Sequence, residues 1–317
     1  MKENKEINEL VEEFLSRKYM LDMGKGKLAS YLKTTPENIV MAKKLARKSL
    51  LVNNKSNNFT KLPKILIFDL ETSPLRAYVW RRWKQNIYLD QTISEWFLLT
   101  YSAKFLFDDK IYSGRLTGDE VKAEDDSRII KDLWNLINEA DIIIAHNGEA
   151  FDTPKMNARF IINGLPPTSP YQQIDTKKVA AKQFGFSSNK LDALARYFGF
   201  ECKMDTDFEL WAKCMDGDEE SLAYMEEYNK HDVTLLEEVY LRLRPWINAH
   251  PNVGLYIESD VPVCSHCGSD HLHHDGSYYT QAGKYDTYRC DCGALSRVRS
   301  SSLSKDHKKR LFVSTAK

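Results

Sequence analysis

Three stretches of the chain place carboxylates where they could act on one another. In Lys64-Ile-Leu-Ile-Phe-Asp-Leu-Glu-Thr72, Asp69 and Glu71 close an apolar run. Side chains alternate across a strand, so Ile65, Ile67, Asp69 and Glu71 share one face, and Leu66, Phe68 and Leu70 share the other. Two ionised groups side by side in a half-buried place repel each other and lose hydration. A basic partner, a shared proton or a metal ion must neutralise them. The second stretch is AHNGEAFDTPKMNAR (145–159), in which a strand ends, turns at Asn147-Gly148 and sets Asp152 at the head of a helix with Pro154 just inside it. Asp at that place also serves as a helix cap. In the third, EYNKHDVTLLEEV (227–239), Tyr228 and Asp232 are four residues apart and share a helix face. Glu226, Glu227, Glu237 and Glu238 read as the solvated side of that helix.

A different chemistry is written near the end of the chain. Cys264-Ser-His-Cys267-Gly is followed by Cys290-Asp-Cys292-Gly, with 22 residues between Cys267 and Cys290. Paired, closely spaced cysteines each followed by Gly are similar to the two knuckles of a zinc ribbon, and thiolate softness favours Zn²⁺. The second pair is C-x-C where C-x₂-C is usual, so the fourth ligand is Cys292 or a nearby His266, His271, His273 or His274. Tyr278, Tyr279, Tyr285, Tyr288 and Arg289 lie between the pairs, and Arg297, Arg299 and KDHKKR follow them. Interleaved aromatic and basic residues suit nucleic-acid contacts. Cys202 and Cys214 stand apart and read as ordinary thiols.

The elements that must position these groups follow from periodicity. EINELVEEFLSRKYML carries a helical apolar stripe at 7, 10, 11, 14 and 15. Leu28, Ala29 and Leu32 mark a short helix. Thr35 is the expected N-cap and Pro36 the N1 residue of another helix, over Ile39 to Ala46, with Lys43, Lys44, Arg47 and Lys48 on and after it. That layout resembles a helix-turn-helix unit, and equally a small helical cap with a solvated basic face. VNNKSNNFTKLP (52–63) reads as a polar linker. Beyond KILIFDLET, strands are expected in 96–107, 110–116 and 141–146. Helices are expected in 128–140, after Pro154, in 189–199 and in 219–247. Strands first, then strands alternating with helices, specify an α/β layer fold. The expected division is a helical basic module over 1–60, an α/β domain over 62–250 and a cysteine-stapled segment with a basic tail over 258–317.

The formal net charge of zero conceals a partition. Residues 1–64 hold 14 Lys/Arg against 7 Asp/Glu, residues 65–257 hold 22 against 31, and from Ser296 onward the count is 7 against 1. Basic ends around an acidic centre suit nucleic-acid contacts at the ends and cations in the middle. No apolar run approaches the roughly 20 residues of a membrane span, and the charged N-terminus has no secretory core, so a soluble cytoplasmic protein is expected.

FDLET, HNGEAFD and YNKHD together resemble the three motifs of the DEDD family of 3′–5′ exonucleases, over most of residues 62–245. Tyr228, four before Asp232, is similar to the DEDDy subclass, which includes the proofreading domains of family B DNA polymerases and stand-alone predicted exonucleases of bacteria and their phages. The resemblance implies a ribonuclease H-like mixed sheet with flanking helices. It implies metal-dependent release of nucleoside 5′-monophosphates from nucleic acid, DNA favoured over RNA, with replication or repair proteins as possible partners. Asp69, Glu71, Asp152 and Asp232 would be ligands of two Mg²⁺ or Mn²⁺ ions roughly 3.5–4 Å apart. Tyr228 would orient the attacking water. Asn147 and Phe151 are candidates to hold the terminal nucleotide, and Lys190 to line its groove. Asp175 is better placed as the N-cap of TKKVAAKQF than as a further ligand. A nucleic-acid-binding scaffold that no longer cuts, and an RNA exonuclease with the same site, are the competing readings.

Overall fold

The computed structural model describes residues 2–16, 29, 32–55, 62–200 and 204–314. They form two compact units, Lys64–Tyr240 and a second one made of Met1–Pro63 with Leu241–Lys317.

In the first unit, β1 (Ile65–Thr72) is the centre of a five-stranded sheet. On one side it pairs antiparallel with β4 (Leu98–Phe105), which pairs antiparallel with β5 (Ile111–Arg115). On the other it pairs parallel with β6 (Ile142–Ala145), and β6 pairs parallel with β7 (Gln172–Asp175). Between β1 and β4 the chain makes a two-stranded ribbon of β2 (Arg76–Ala77) and β3 (Thr92–Ser94). The parallel pairs require helical crossovers. Helices α3 (Gly118–Ala123) and α4 (Ser127–Glu139) precede β6, and α5 (Asp152–Ile162) precedes β7. Helices α6 (Thr176–Gln183), α7 (Leu191–Phe198), α8 (Phe208–Met215) and α9 (Glu219–Leu243) follow.

The alternation in β1 is realised as the sequence requires. Leu66, Phe68 and Leu70 join a buried cluster with Ile129, Ile130, Leu133 and Ile137 of α4 and with Met156 and Phe160 of α5. The opposite face meets α9, which returns Asn229, Asp232 and Glu237 to the sheet. Glu237 is buried, ion-paired with buried Lys104 and an acceptor for the Phe107 amide at 2.9 Å. The expectation of a solvated Glu237 is thus corrected. A lysine near the end of a buried strand must be paired, and its partner is 133 residues away. Glu226 is also engaged, with Ser113 at 2.5 Å and with Arg115 and Lys230. Helix α9 ends at Leu243 rather than near 247, because Pro245 converts the next residues to a 3₁₀ turn, Arg244–Trp246.

In the second unit, α1 (Lys2–Ser16) and α2 (Pro36–Lys55) share a small core of Ile7, Leu10, Phe14, Ile39, Ala42 and Ala46. Thr35 caps α2, its hydroxyl accepting from the Asn38 amide at 3.2 Å. The helix runs nine residues past Ala46, into the stretch expected as linker. Leu28 of the expected short helix, residues 56–61 of the linker and Cys202 lie outside the described residues. The C-terminal part holds an antiparallel sheet of β8 (Leu272–Thr280), β9 (Gly283–Cys290) and β10 (Leu295–Arg297), followed by α10 (Lys305–Lys309). No helix among the described residues is long and apolar enough to cross a membrane.

Candidate active site and cysteine cluster

Asp69 and Glu71 stand at the C-terminal end of β1, and α9 brings Asp232 to them. One carboxylate oxygen from each lies within 4.8 Å of the others. The register of β1 against β4 slips between Glu71 and Thr72, an irregularity of the kind that re-aims side chains at a strand end. Asp232 is 2% exposed, and Asp69 and Glu71 are half-buried. Asn229, fully buried one turn before Val233, donates from Nδ2 to Asp69 Oδ2 at 2.6 Å. That contact fixes the Asp69 carboxylate. Tyr228 is buried on the same helix, four residues before Asp232.

Asp152 stands slightly apart from this trio. It is the first residue of α5, 2% exposed, and its Oδ1 accepts from the Leu70 amide at 3.2 Å. It therefore sits against β1 between the two strand carboxylates. Burial pushes its carboxyl up to about 7; the charge of Asp175 adds to this, and hydrogen bonds from the backbone of Asp152 and Leu70 oppose it. A folded-state value above that of an unfolded Asp means a contribution to stability that is complete below about pH 4 and lost as pH rises through 7. Without divalent cations, wild type should lose on the order of 4 kcal/mol between pH 4 and 8 relative to Asp152→Asn. Thermal unfolding of the two proteins in EDTA across that range measures the difference. Parallel profiles would refute the burial account.

The loop that carries Asn147 and Phe151 is held from several sides. Asn147 has φ +73°, a left-handed conformation that Asn tolerates, and a Cβ at Gly148 would come 2.4 Å from Ala145 Cβ. Asp175 accepts from the amides of Asn147 at 3.0 Å and Glu149 at 3.3 Å while capping α6 through Lys177 and Lys178. Its role is to pin this loop. His146 bridges Thr176 Oγ1 and the Asn189 carbonyl, both at 2.9 Å. Asn147 Oδ1 accepts from Lys177 Nζ at 3.1 Å. Phe151 is partly exposed, and Lys155 lies 3.7 Å over the Trp96 ring and 5.0 Å from that of Phe151. Lys190 is exposed as the residue preceding α7. The sequence alone carries no local signal for Asn229, His146 or Lys155. Each lies next to a motif residue, but only the tertiary contacts give it a task.

In the other unit the four C-terminal cysteines converge, their sulfurs within 4.8 Å of one another. Cys264 and Cys292 Sγ are 3.7 Å apart, and Cys267 and Cys290 Sγ 3.5 Å. A tetrahedral ion with metal–sulfur bonds of about 2.3 Å has sulfurs about 3.8 Å apart, so the four thiols fit Zn²⁺. The knuckles close on Gly268 (φ +76°) and Gly293 (φ +88°), whose amides donate to the Cys264 and Cys290 carbonyls. The short C-x-C pair delivers both of its sulfurs. The histidines have other partners: His266 bonds Ser265 and the Ile247 carbonyl, His271 and His273 approach Asp291, and His274 lies edge-on to Tyr288. Cys214 is buried, and burial pushes its thiol up to about 12, as for an inert core thiol.

Residues 109–244 match the family model of the RNase H superfamily. That match runs from just before β5 to just past the end of α9. Among solved structures the chain is similar to the family B DNA polymerase of the hyperthermophilic archaeon Pyrobaculum calidifontis, at 17% identity and a TM-score of 0.44, over 58% of this chain and 25% of the polymerase. The chain thus spans about a quarter of that protein's length. No curated protein matches it. The match to the RNase H superfamily, beside carboxylates gathered at the end of β1 and on α9, supports a nuclease-type function, compatible with divalent cations at the acidic cluster and a metal at the cysteines.

Proposed function

We propose that the chain is a metal-dependent 3′–5′ exonuclease that releases nucleoside 5′-monophosphates, with DNA the favoured substrate. The observation that carries this reading is the convergence of Asp69, Glu71 and Asp232 at the end of the central strand of a ribonuclease H-like sheet. Oxygen ligands at this spacing suit Mg²⁺ or Mn²⁺, with Asp152 beside them to complete the set. Bound there, a pair of such ions supplies Lewis-acid stabilisation of phosphate charge and a more acidic water. The chain's own residues do the rest. Asn229 holds Asp69 in one rotamer. Tyr228, one helical turn before Asp232, orients the attacking water through its phenolic oxygen. Phe151 offers a ring on which the terminal base stacks. Asn147, its Oδ1 occupied by Lys177, offers Nδ2 to the nucleotide.

Around this core we assign residues 1–60 as a basic helical module and 258–317 as a zinc-ribbon-like segment, both contacting nucleic acid, with replication or repair proteins as partners. Digestion of 5′-labelled DNA and RNA with Mg²⁺ tests the activity. A ladder shortening by one nucleotide from the 3′ end is expected, faster on DNA, while 3′-labelled strands lose their label at once. Internal cuts without a ladder would exclude an exonuclease. Tyr228→Phe should lower the rate by about 10- to 100-fold. Mn²⁺ should still raise its melting temperature as it does for wild type, because the carboxylates remain. An unchanged rate would remove Tyr228 from the reaction.

A further inference from the structure

Between the strand that carries Asp69 and Glu71 and its neighbour β4, the chain leaves the sheet for more than twenty residues, 74–96. From Tyr78 to Asp90 every residue but Gln85 is exposed. Trp80 is 94% exposed, Leu89 89%, Trp83 80% and Tyr78 74%. Exposed apolar groups in such density forgo the stabilisation that burial gives, and they mark a surface that meets something.

The arm is nonetheless a built structure. Tyr78 and Gln91 are joined backbone to backbone at 2.9 Å, and Gln91 Oε1 accepts from the Tyr88 amide at 3.0 Å. Arg81 donates to the Lys84 carbonyl at 3.1 Å, and Lys84 adopts φ +49°. These polar contacts shape the loop without burying its rings. Its base is fastened by Arg76, which donates to Ser94 Oγ at 2.8 Å and pairs with Glu124. The two roots are tied as well: the Ser73 amide donates to the Phe97 carbonyl, and the Phe97 amide to Ser73 Oγ, both at 2.9 Å. Ser73 is two residues beyond Glu71, so the root of the arm lies within about 7 Å of the Glu71 Cα.

We propose that this arm is a stacking platform for a single-stranded polynucleotide, the 3′-terminal strand presented to Asp69, Glu71 and Asp232. The naming of that strand as a substrate rests on the exonuclease reading; the affinity for single strands does not. From Tyr78 to Leu89 the segment holds Arg81, Arg82 and Lys84 and no acidic residue, in a unit whose sequence is otherwise acidic. Four aromatic rings interleaved with three cations match what a single strand offers, a π-face and a phosphate at every nucleotide. A protein-docking patch would place its charges at a rim around an apolar centre. Here cations and rings alternate along one chain. The side chains that bind are distinct from those that would cut, so the arm acts on affinity and on strand choice.

Anisotropy of a 5′-fluorescein-labelled 20-residue oligothymidylate in chelator-free buffer without Mg²⁺ or Mn²⁺, where no turnover dependent on those ions occurs, provides the test on the full chain. Trp80→Ala/Trp83→Ala is expected to weaken binding by about tenfold or more. Arg81→Ala/Arg82→Ala should lower the slope of log affinity against log salt by about 1.4. Both pairs are exposed, so the circular dichroism spectrum and melting temperature of each variant should match wild type. In wild type the oligonucleotide should quench tryptophan emission, and a blunt duplex should compete poorly. Unchanged affinity in the tryptophan variant would overturn the proposal. So would unchanged affinity with a shift from dimer to monomer in sedimentation, which would make the arm a contact between copies. Absence of Mg²⁺-dependent cleavage in wild type, with the binding effects as expected, would refute the exonuclease reading and leave the platform standing.

Discussion

Asp69→Asn and Asp232→Asn are each expected to lower Mg²⁺-dependent phosphodiester cleavage by about a thousandfold or more. Losing one ligand of a cation that neutralises developing charge removes several kcal/mol of transition-state stabilisation, and about 4 kcal/mol corresponds to three orders of magnitude. Both substitutions are isosteric, so packing is kept. Both also delete one negative charge from three carboxylates whose oxygens lie within 4.8 Å. Metal-free stability should therefore hold or rise, while the rise in melting temperature that Mn²⁺ gives wild type should shrink. The two residues differ in one respect. Asp69 is the acceptor for the buried Asn229 amide at 2.6 Å, so Asp69→Ala would orphan that donor and cost about 1–3 kcal/mol. Asparagine retains an acceptor. Single-turnover cleavage of a labelled strand, beside melting curves with and without Mn²⁺, separates the two effects. Wild-type rates in either variant would remove these carboxylates from the chemistry.

The site was legible in sequence where local rules determine it. The alternation in KILIFDLET places the apolar residues of β1 on one face and both carboxylates on the other, and the structure follows it. Thr35 and Asp175 are helix caps because a short oxygen-bearing side chain before a helix has few other uses. What sequence concealed depends on distance along the chain. Asn229 sits in a run of charged residues and looks solvated, yet it is fully buried because α9 lies on the sheet there. Glu237 misleads in the same way until Lys104 is placed opposite it. The arm from 74 to 96 carries neither helical nor strand periodicity over most of its length. The fold leaves its rings outside. The extension of α2 to Lys55 passes through VNNK, residues whose composition favours turns but whose helix needs no apolar stripe.

One Zn²⁺ per chain, held by Cys264, Cys267, Cys290 and Cys292, is the second large expected effect. The sulfur separations of 3.5 and 3.7 Å are close to the edge of a thiolate tetrahedron, about 3.8 Å. Four buried or half-buried thiols packed this closely cannot all ionise without a cation, and together they close the coordination shell. The apolar cluster around them is small: Cys264, Cys290 and Ala294 are buried, with Leu272 and the other two cysteines packed against them. A core that small does not hold a sheet together, so the free energy of metal binding becomes folding free energy. Cys264→Ser, or stripping the ion with a strong chelator, should unfold residues 258–317 and reduce zinc to below one per chain. Because all four sulfurs reach the centre, Cys292→Ser should do the same, in spite of the histidines nearby. The carboxylates belong to the other compact unit, so cleavage of short oligonucleotides at saturating concentration should persist. Elemental analysis of the reduced protein, paired with limited proteolysis and the cleavage assay, distinguishes the outcomes. Zinc retained at one per chain in Cys292→Ser would make a histidine the fourth ligand. Loss of cleavage along with the ion would show that the ribbon supports catalysis rather than the fold of its own segment alone.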